Sequence, residues 1–174
     1  TEAAYNTIID SKTCSLFRLV FRGTGELARA SALDLSELER LGTGLGTLFQ
    51  IRDDLIDIVG AKEGREAGND IREGKITLMA ADFVHGAAAP ELREEAARIL
   101  GLPRTETTPA EVLAVKELFW AHGSVEGSRN RLLELEARIR ELEIMSTYPR
   151  LAVGIEELLQ RLRVGLFQES GQER

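Results

Sequence analysis

This chain has few of the residues from which disulfide-rich, zinc-binding and membrane-spanning proteins are built. Its one cysteine, Cys14, excludes an internal disulfide and is typical of a reducing compartment. Its two histidines, His85 and His122, are too few and too far apart to predict a zinc site. No run approaches the roughly 20 apolar residues of a membrane span, and the N-terminus has no signal-peptide pattern. We therefore expect a cytoplasmic protein with no integral membrane segment.

The chain also lacks an excess of basic residues and the patterns that predict β-strands. It has 22 lysines and arginines against 29 aspartates and glutamates, so a nucleic-acid partner is not expected. It has four prolines, no alternating runs of Val, Ile and Thr, and no Asn-Gly hairpin signal. Its 174 residues are enough for one hydrophobic core. The sequence predicts an all-α bundle over residues 1–167, followed by a disordered tail at 168–174.

The helical spacing of apolar residues predicts where the main helices lie. A second helix is predicted to begin near Ser36, where Glu39 completes a capping box, and to end near Gly60. Three glycines lower its helix propensity, which favours a close approach of another helix or a ligand: Gly42, Gly44 and Gly46. The other predicted helices cover residues 2–31, 76–85, 91–100, 108–120, 125–142 and 149–164.

A cluster of carboxylates near the end of the second helix is the most informative pattern in the chain. Asp53 and Asp57 lie one helical turn apart, Asp54 lies on their flank, and Gln50 lies one turn earlier on the same face. Like charges at this spacing destabilise a helix unless something compensates them. The expected compensation is Mg²⁺, which binds carboxylate and phosphate oxygens. A solvated acidic face is the alternative. Large apolar residues border the cluster on both sides, which favours a buried helix with one strip open to a cavity.

Cationic residues occur at two other positions that point to an anion. Lys12 and Thr13 interrupt the apolar stripe of residues 2–31, and a charge buried there would need a partner, whereas a snorkelling lysine would not. Residues 60–75 form a predicted loop rich in glycine and charge that directly follows the carboxylate helix; its charged residues include Lys62, Arg65, Asp70, Arg72 and Lys75. Binding residues are often carried by such loops on a rigid scaffold.

These residues resemble a known family. Phe49-Gln50-Ile51-x-Asp53-Asp54-x-x-Asp57 and the stretch from Gly64 to Leu78 are similar to the second aspartate-rich region of the trans-isoprenyl diphosphate synthases, or polyprenyl synthetases. Ser11-Lys12-Thr13 resembles the Lys-Thr element of that family, whereas residues 123–151 fit its later pattern only weakly. The resemblance implies an isoprenoid-synthase-type helical bundle, of which this chain would hold the later helices only.

The resemblance also implies a reaction and a role for each matched residue. An allylic diphosphate ionises, the double bond of isopentenyl diphosphate attacks the carbocation, and a proton is lost. By motif position, Asp53, Asp54 and Asp57 would hold Mg²⁺ on the allylic diphosphate. Lys12, Arg65 and Lys75 would contact its oxygens, with Thr13 and Gln50 fixing geometry and quenching the cation, and Asp70 would structure the loop. The family usually has lysine at the position of Arg65. Arginine keeps the positive charge and changes the geometry of the contact with phosphate.

One element of the family pattern is absent from this sequence. No Asp-Asp-x-x-Asp occurs before Asp53, although the family has an earlier motif that binds further Mg²⁺ and helps to bind isopentenyl diphosphate. We therefore expect the C-terminal half of such an enzyme, active with a complementary N-terminal half or partner chain, in a homo- or hetero-oligomer. A start at Thr1 within a helical pattern fits a cut piece. The alternatives are a non-catalytic diphosphate-binding or regulatory subunit, and a helical interaction module without a reaction.

Overall fold

The structure, a computed structural model, describes residues 1–60 and 67–167, and within these ranges it contains helices and no strand. The bounds of the helices are α1 Glu2–Ile9, a π-helical turn Asp10–Cys14, α2 Ser15–Leu27, α3 Ala32–Val59, α4 Asn69–Arg72, α5 Leu78–His85, α6 Pro90–Leu100, α7 Pro109–Ala121, α8 Ser124–Arg140, α9 Glu143–Thr147 and α10 Pro149–Arg163. The prediction of an all-α fold is confirmed. The predicted tail at 168–174 lies outside the described residues. No described helix has the length and apolar character needed to cross a bilayer.

The predicted start of the long helix at Ser36 is wrong. Helix α3 begins at Ala32, and the N–H of Asp34 donates to the hydroxyl of Ser31 over 3.1 Å. That contact caps the helix one turn before the predicted position, so Ser36 lies inside the helix. The start of α7 follows the prediction: Thr108 and Glu111 form a reciprocal capping box, and Pro109 is the first helical residue.

The chain divides into two compact units. The first unit comprises Thr1–Asn6 and Asp53–Asn130, and the second comprises Thr7–Arg52 and Arg131–Arg174. In the first unit, α5, α6 and α7 pack on one another around aromatic side chains. The ring of Phe83 lies 5.7 Å from that of Phe119 and 5.4 Å from that of His122, between centroids. His122 therefore has a packing role here, as an edge-on neighbour of a buried phenylalanine.

In the second unit, the glycines of α3 let two other helices approach it closely. A Cβ on Gly46 would lie 2.8 Å from the Cα of Cys14, and a Cβ on Gly42 would lie 2.9 Å from the Cα of Arg18. On another face, a Cβ on Gly44 would lie 3.1 Å from Ile139 of α8. Of the two predicted reasons for this glycine series, approach of another helix or of a ligand, the first is confirmed at all three positions.

The second unit also contains a fully buried glutamate. Glu136 of α8 is 0% exposed, and the Nε of Arg163 donates to both of its carboxylate oxygens over 2.9 Å. Arg140 donates to the same carboxylate over 3.3 Å and also pairs with Glu156 of α10 over 2.7 Å. A carboxylate removed from water is tolerated only with such partners, so this network fixes the end of α10 against α8.

We expect Arg163→Met to lower the free energy of unfolding by about 2 kcal/mol, because it leaves the buried Glu136 carboxylate with Arg140 as its one remaining partner among these ion pairs. The measurement is urea denaturation followed by circular dichroism. Arg161→Met is the matched control, since Arg161 is an exposed arginine of the same helix, and we expect a change within about 0.5 kcal/mol. Equal stabilities of the two variants would contradict a role for the network.

Candidate functional site

Helix α3 carries four of the residues that the sequence pattern singles out. Gln50 belongs to the part of α3 in the second unit, and Asp53, Asp54 and Asp57 belong to the part in the first unit. Asp54 and Asp57 are 4% and 7% exposed, whereas Asp53 is half-buried. The three carboxylates are therefore unequal: two lie in the protein interior, and one keeps access to solvent.

The Lys-Thr element lies in the π-helical turn between α1 and α2. In this turn the N–H of Ser15 donates to the carbonyl of Asp10, five residues earlier, in place of the usual four. Such a wide turn inserts one residue into a helix and is frequent at functional sites. Cys14 is buried at its end, Thr13 is half-buried, and Lys12 is exposed. Lys12 therefore faces solvent and Cys14 faces the core.

Thr13 and Gln50, 37 residues apart in sequence, are in direct contact in the second unit. The hydroxyl of Thr13 donates to the side-chain oxygen of Gln50 over 2.8 Å. Gly46 lies one helical turn before Gln50, and the backbone of Cys14, the residue after Thr13, passes so close to it that a Cβ there would clash. The sequence pattern assigns both residues to one site, and the fold brings their side chains together.

Asp57 accepts hydrogen bonds from Gly68 and Asp70 in the first unit. Its carboxylate Oδ2 accepts a hydrogen bond from the N–H of Asp70 over 3.0 Å, and its carbonyl accepts one from the N–H of Gly68 over 2.8 Å. Asp70 is itself buried, at 7% exposure. One of the three helix carboxylates is therefore oriented by a backbone donor at the start of α4.

Lys75 has two carboxylate partners in the same unit. Its ammonium group donates to Asp70 over 2.6 Å and lies 2.9 Å from Glu73. Partial burial acts to lower the pKa of Lys75, but the hydrogen bonds to Asp70 and Glu73 outweigh it and the pKa is raised. Glu73 is held in turn by Asn69 and Arg104. Nothing in the sequence pattern indicated the contact with Arg104, because it depends on the packing of α4 beside the loop after α6.

The carboxylates of α3 have the chemistry, though not the closed geometry, of a metal site. Across residues 1–60 and 67–167, no three acidic, cysteine or histidine side chains form a group that would hold a metal ion by themselves. Magnesium usually keeps several waters and takes one or two carboxylates together with substrate phosphates. Each carboxylate oxygen has two lone pairs and can take part in more than one contact. Arg65, the other predicted anion contact, lies outside the described residues.

Two features characterise this all-α protein: a carboxylate cluster on one continuous helix, and a Lys-Thr element in a π turn earlier in the chain. The sequence profile of the polyprenyl synthetase family matches residues 1–118, so the chain belongs to that family. It is 34% identical over 128 residues to the short chain isoprenyl diphosphate synthase of Methanothermobacter thermautotrophicus, covering 72% of this chain and 38% of that protein. It is 31% identical over 153 residues to the octaprenyl diphosphate synthase of Escherichia coli, covering 86% and 46%.

A solved structure supports the same fold assignment. The chain is similar to the polyprenyl synthase of Caulobacter crescentus, whose crystal structure is of a complex with calcium and isoprenyl diphosphate, with a TM-score of 0.73 and 27% sequence identity. The match covers 93% of this chain and 48% of that one. The bundle is therefore of the isoprenoid-synthase type, as predicted, and the chain spans less than half the length of each of these three relatives.

We expect Thr13→Val to lower the free energy of unfolding by about 1 kcal/mol, because it removes the hydrogen bond to Gln50 while keeping the shape of the side chain. Thr13→Ser, which keeps the hydroxyl, is the matched control. Thermal denaturation of both variants is the measurement. A valine variant as stable as the serine variant would contradict a contribution of this contact.

Proposed function

We propose that this chain supplies the second aspartate-rich half of a polyprenyl diphosphate synthase, which transfers a prenyl group from an allylic diphosphate to isopentenyl diphosphate. Family membership supports the reaction class, and both curated relatives named above are isoprenyl diphosphate synthases. The observation that carries the proposal is the contact between Thr13 and Gln50, because it joins two separate motifs of the family pattern in one place.

The departing diphosphate of the reaction gathers negative charge as its bond to carbon breaks. Groups that face this charge in a site shielded from water lower the barrier, which is electrostatic stabilisation of the transition state. Lys12, exposed beside Thr13, would contact the diphosphate oxygens. The hydroxyl of Thr13 and the amide of Gln50, fixed to each other, would orient the allylic group and present oxygen atoms to the carbocation.

Divalent metal is the cofactor that this proposal requires. Asp53, Asp54 and Asp57 would hold Mg²⁺, with the half-buried Asp53 the most accessible of the three. When bound, the ion supplies positive charge that neutralises the leaving diphosphate. The relative from Caulobacter crescentus, complexed with calcium and isoprenyl diphosphate, supports a divalent cation and this class of ligand for the present chain.

This chain covers only part of the length of its relatives, which supports a second and narrower candidate function. Because the chain spans 38% and 46% of two synthases, it would instead be a non-catalytic subunit that binds a diphosphate or regulates a partner synthase. The partner would carry the earlier aspartate-rich motif. The two candidates differ in turnover after a partner is added, and they agree on diphosphate binding by this chain.

We expect the double substitution Asp53→Asn with Asp54→Asn to abolish Mg²⁺-dependent binding of inorganic pyrophosphate, since it removes two anionic ligands and keeps the size of both side chains. Isothermal titration calorimetry with and without Mg²⁺ measures the binding, and circular dichroism checks that helicity is unchanged. Asp82→Asn is the control, because Asp82 is an exposed aspartate of α5 in the same unit. Undiminished binding by the double variant would remove the metal role of the cluster.

An apolar stripe along α1 and α2 supports the need for a partner. Its side chains are 41 to 89% exposed and recur at helical spacing in the second unit: Ile8, Leu16, Leu19, Val20 and Leu27. Lys12 falls between Ile8 and Leu16 in this series. A contiguous exposed apolar face marks an interaction surface or an aggregation liability, so we propose that this face is covered in the working enzyme.

We expect the chain on its own to self-associate in dilute solution, because burying this stripe removes apolar surface from water. Multi-angle light scattering over a range of protein concentrations is the measurement. Leu19→Glu should shift the population toward monomer, whereas Leu113→Glu, at a residue 55% exposed on α7, should not. A monodisperse, protease-resistant monomer of the unaltered chain would overturn the prediction.

A further inference from the structure

The segment from Asn69 to Lys75 is held by a small network of opposite charges in the first unit. Asp70 and Glu73 supply two negative groups, and Lys75 and Arg104 supply two positive ones. The link between Lys75 and Asp70 is the shortest ion pair of Lys75, at 2.6 Å, and Asp70 is the buried member of the four. The charge of Lys75 is thus compensated within the protein.

The main-chain conformation places the side chain of Lys75 next to Asp70. The N–H of Lys75 donates to the carbonyl of Asp70 over 3.0 Å, so the two residues share a main-chain and a side-chain contact. Gly74 between them has φ of 60°, and a Cβ at that position would clash with the carbonyl oxygen of Leu100. Only glycine fits this turn without strain, so the geometry that directs Lys75 is built into the packing against the end of α6.

The same network continues from Asp70 to the carboxylate cluster. The N–H of Asp70 donates to Oδ2 of Asp57, and the Asp70 carboxylate accepts from Lys75. One residue therefore uses its main chain to orient Asp57 and its side chain to bind Lys75. Without Lys75, the buried carboxylate of Asp70 would lose its positively charged partner. Asp70 would then shift, and with it the N–H that donates to Asp57.

We propose that Lys75 is a positioning residue that holds Asp70, and through it the carboxylate of Asp57, in place of the direct diphosphate contact that the family resemblance implies for it. A lysine that already pairs with two carboxylates adds little to the electrostatic stabilisation of a separate anion such as a diphosphate. The proposal rests on the proposed function in one respect: the orientation of Asp57 matters because Asp57 is assigned to metal binding.

Amide hydrogen exchange, followed by NMR on the full 174-residue chain, tests the structural part of this proposal. We expect the Asp70 amide to exchange about fivefold faster in Lys75→Met and in Asp70→Asn, because its acceptor contact is loosened. Lys75→Arg should restore protection. Glu73→Gln is the matched control, since it removes one partner of Lys75 and leaves the pair with Asp70. Unchanged exchange in Lys75→Met overturns the proposal.

Binding of inorganic pyrophosphate at a series of Mg²⁺ concentrations separates positioning from direct contact. A positioning role predicts that Lys75→Met raises the Mg²⁺ concentration for half-maximal binding about threefold, while the affinity at saturating Mg²⁺ stays within about twofold of native. A tenfold or greater loss at every Mg²⁺ concentration, the result expected for Lys12→Met, would overturn the proposal. If the native chain binds no pyrophosphate, the proposed function fails, while the exchange of the Asp70 amide still decides the role of Lys75.

Discussion

Burial of carboxylates is the constraint on which much of this structure depends. Among residues 1–60 and 67–167, four acidic side chains are nearly or fully withdrawn from water: Asp54, Asp57, Asp70 and Glu136. An ionised carboxylate in the interior is costly unless donors or cations surround it. In the second unit the requirement is met by arginines on Glu136, which fasten α10 to α8. In the first unit a backbone N–H donates to Asp57 and Lys75 pairs with Asp70, so the contacts that compensate these two buried carboxylates also order the candidate site.

Local rules predicted most of the helices, and they failed where two local signals competed. The helix predicted over residues 108–120 occurs as α7, which Thr108 caps and Pro109 begins. At the start of α3, two serines each precede an acidic residue by three positions, Ser31 before Asp34 and Ser36 before Glu39. The helix uses the first, since a cap stabilises the earliest turn and the second box then lies within a continuing helix. Sequence spacing alone does not rank two such signals.

The candidate site divides in the same way between what spacing predicts and what packing decides. The positions of Gln50, Asp53, Asp54 and Asp57 on one helix followed from a period of 3.6 residues per turn. The π turn at Lys12 and Thr13 did not, because it depends on how the segment packs against α3, where Gly42 and Gly46 allow backbone contact. The ion pair between Arg104 and Glu73 was also beyond prediction, since the two residues lie 31 positions apart along the chain.

Unequal burial gives the three helix aspartates different tasks within the proposed function. The carboxylate of Asp57 is oriented by the N–H of Asp70, and that of Asp54 is buried. Asp53 is half-buried, and a side chain with solvent access can move to meet a hydrated cation. Magnesium sheds its waters reluctantly and binds through few protein ligands, which favours one accessible carboxylate backed by fixed negative charge over three equivalent ones. On this argument, Asp53 would make the first contact with the ion, and Asp54 and Asp57 would complete the set of carboxylates that holds it.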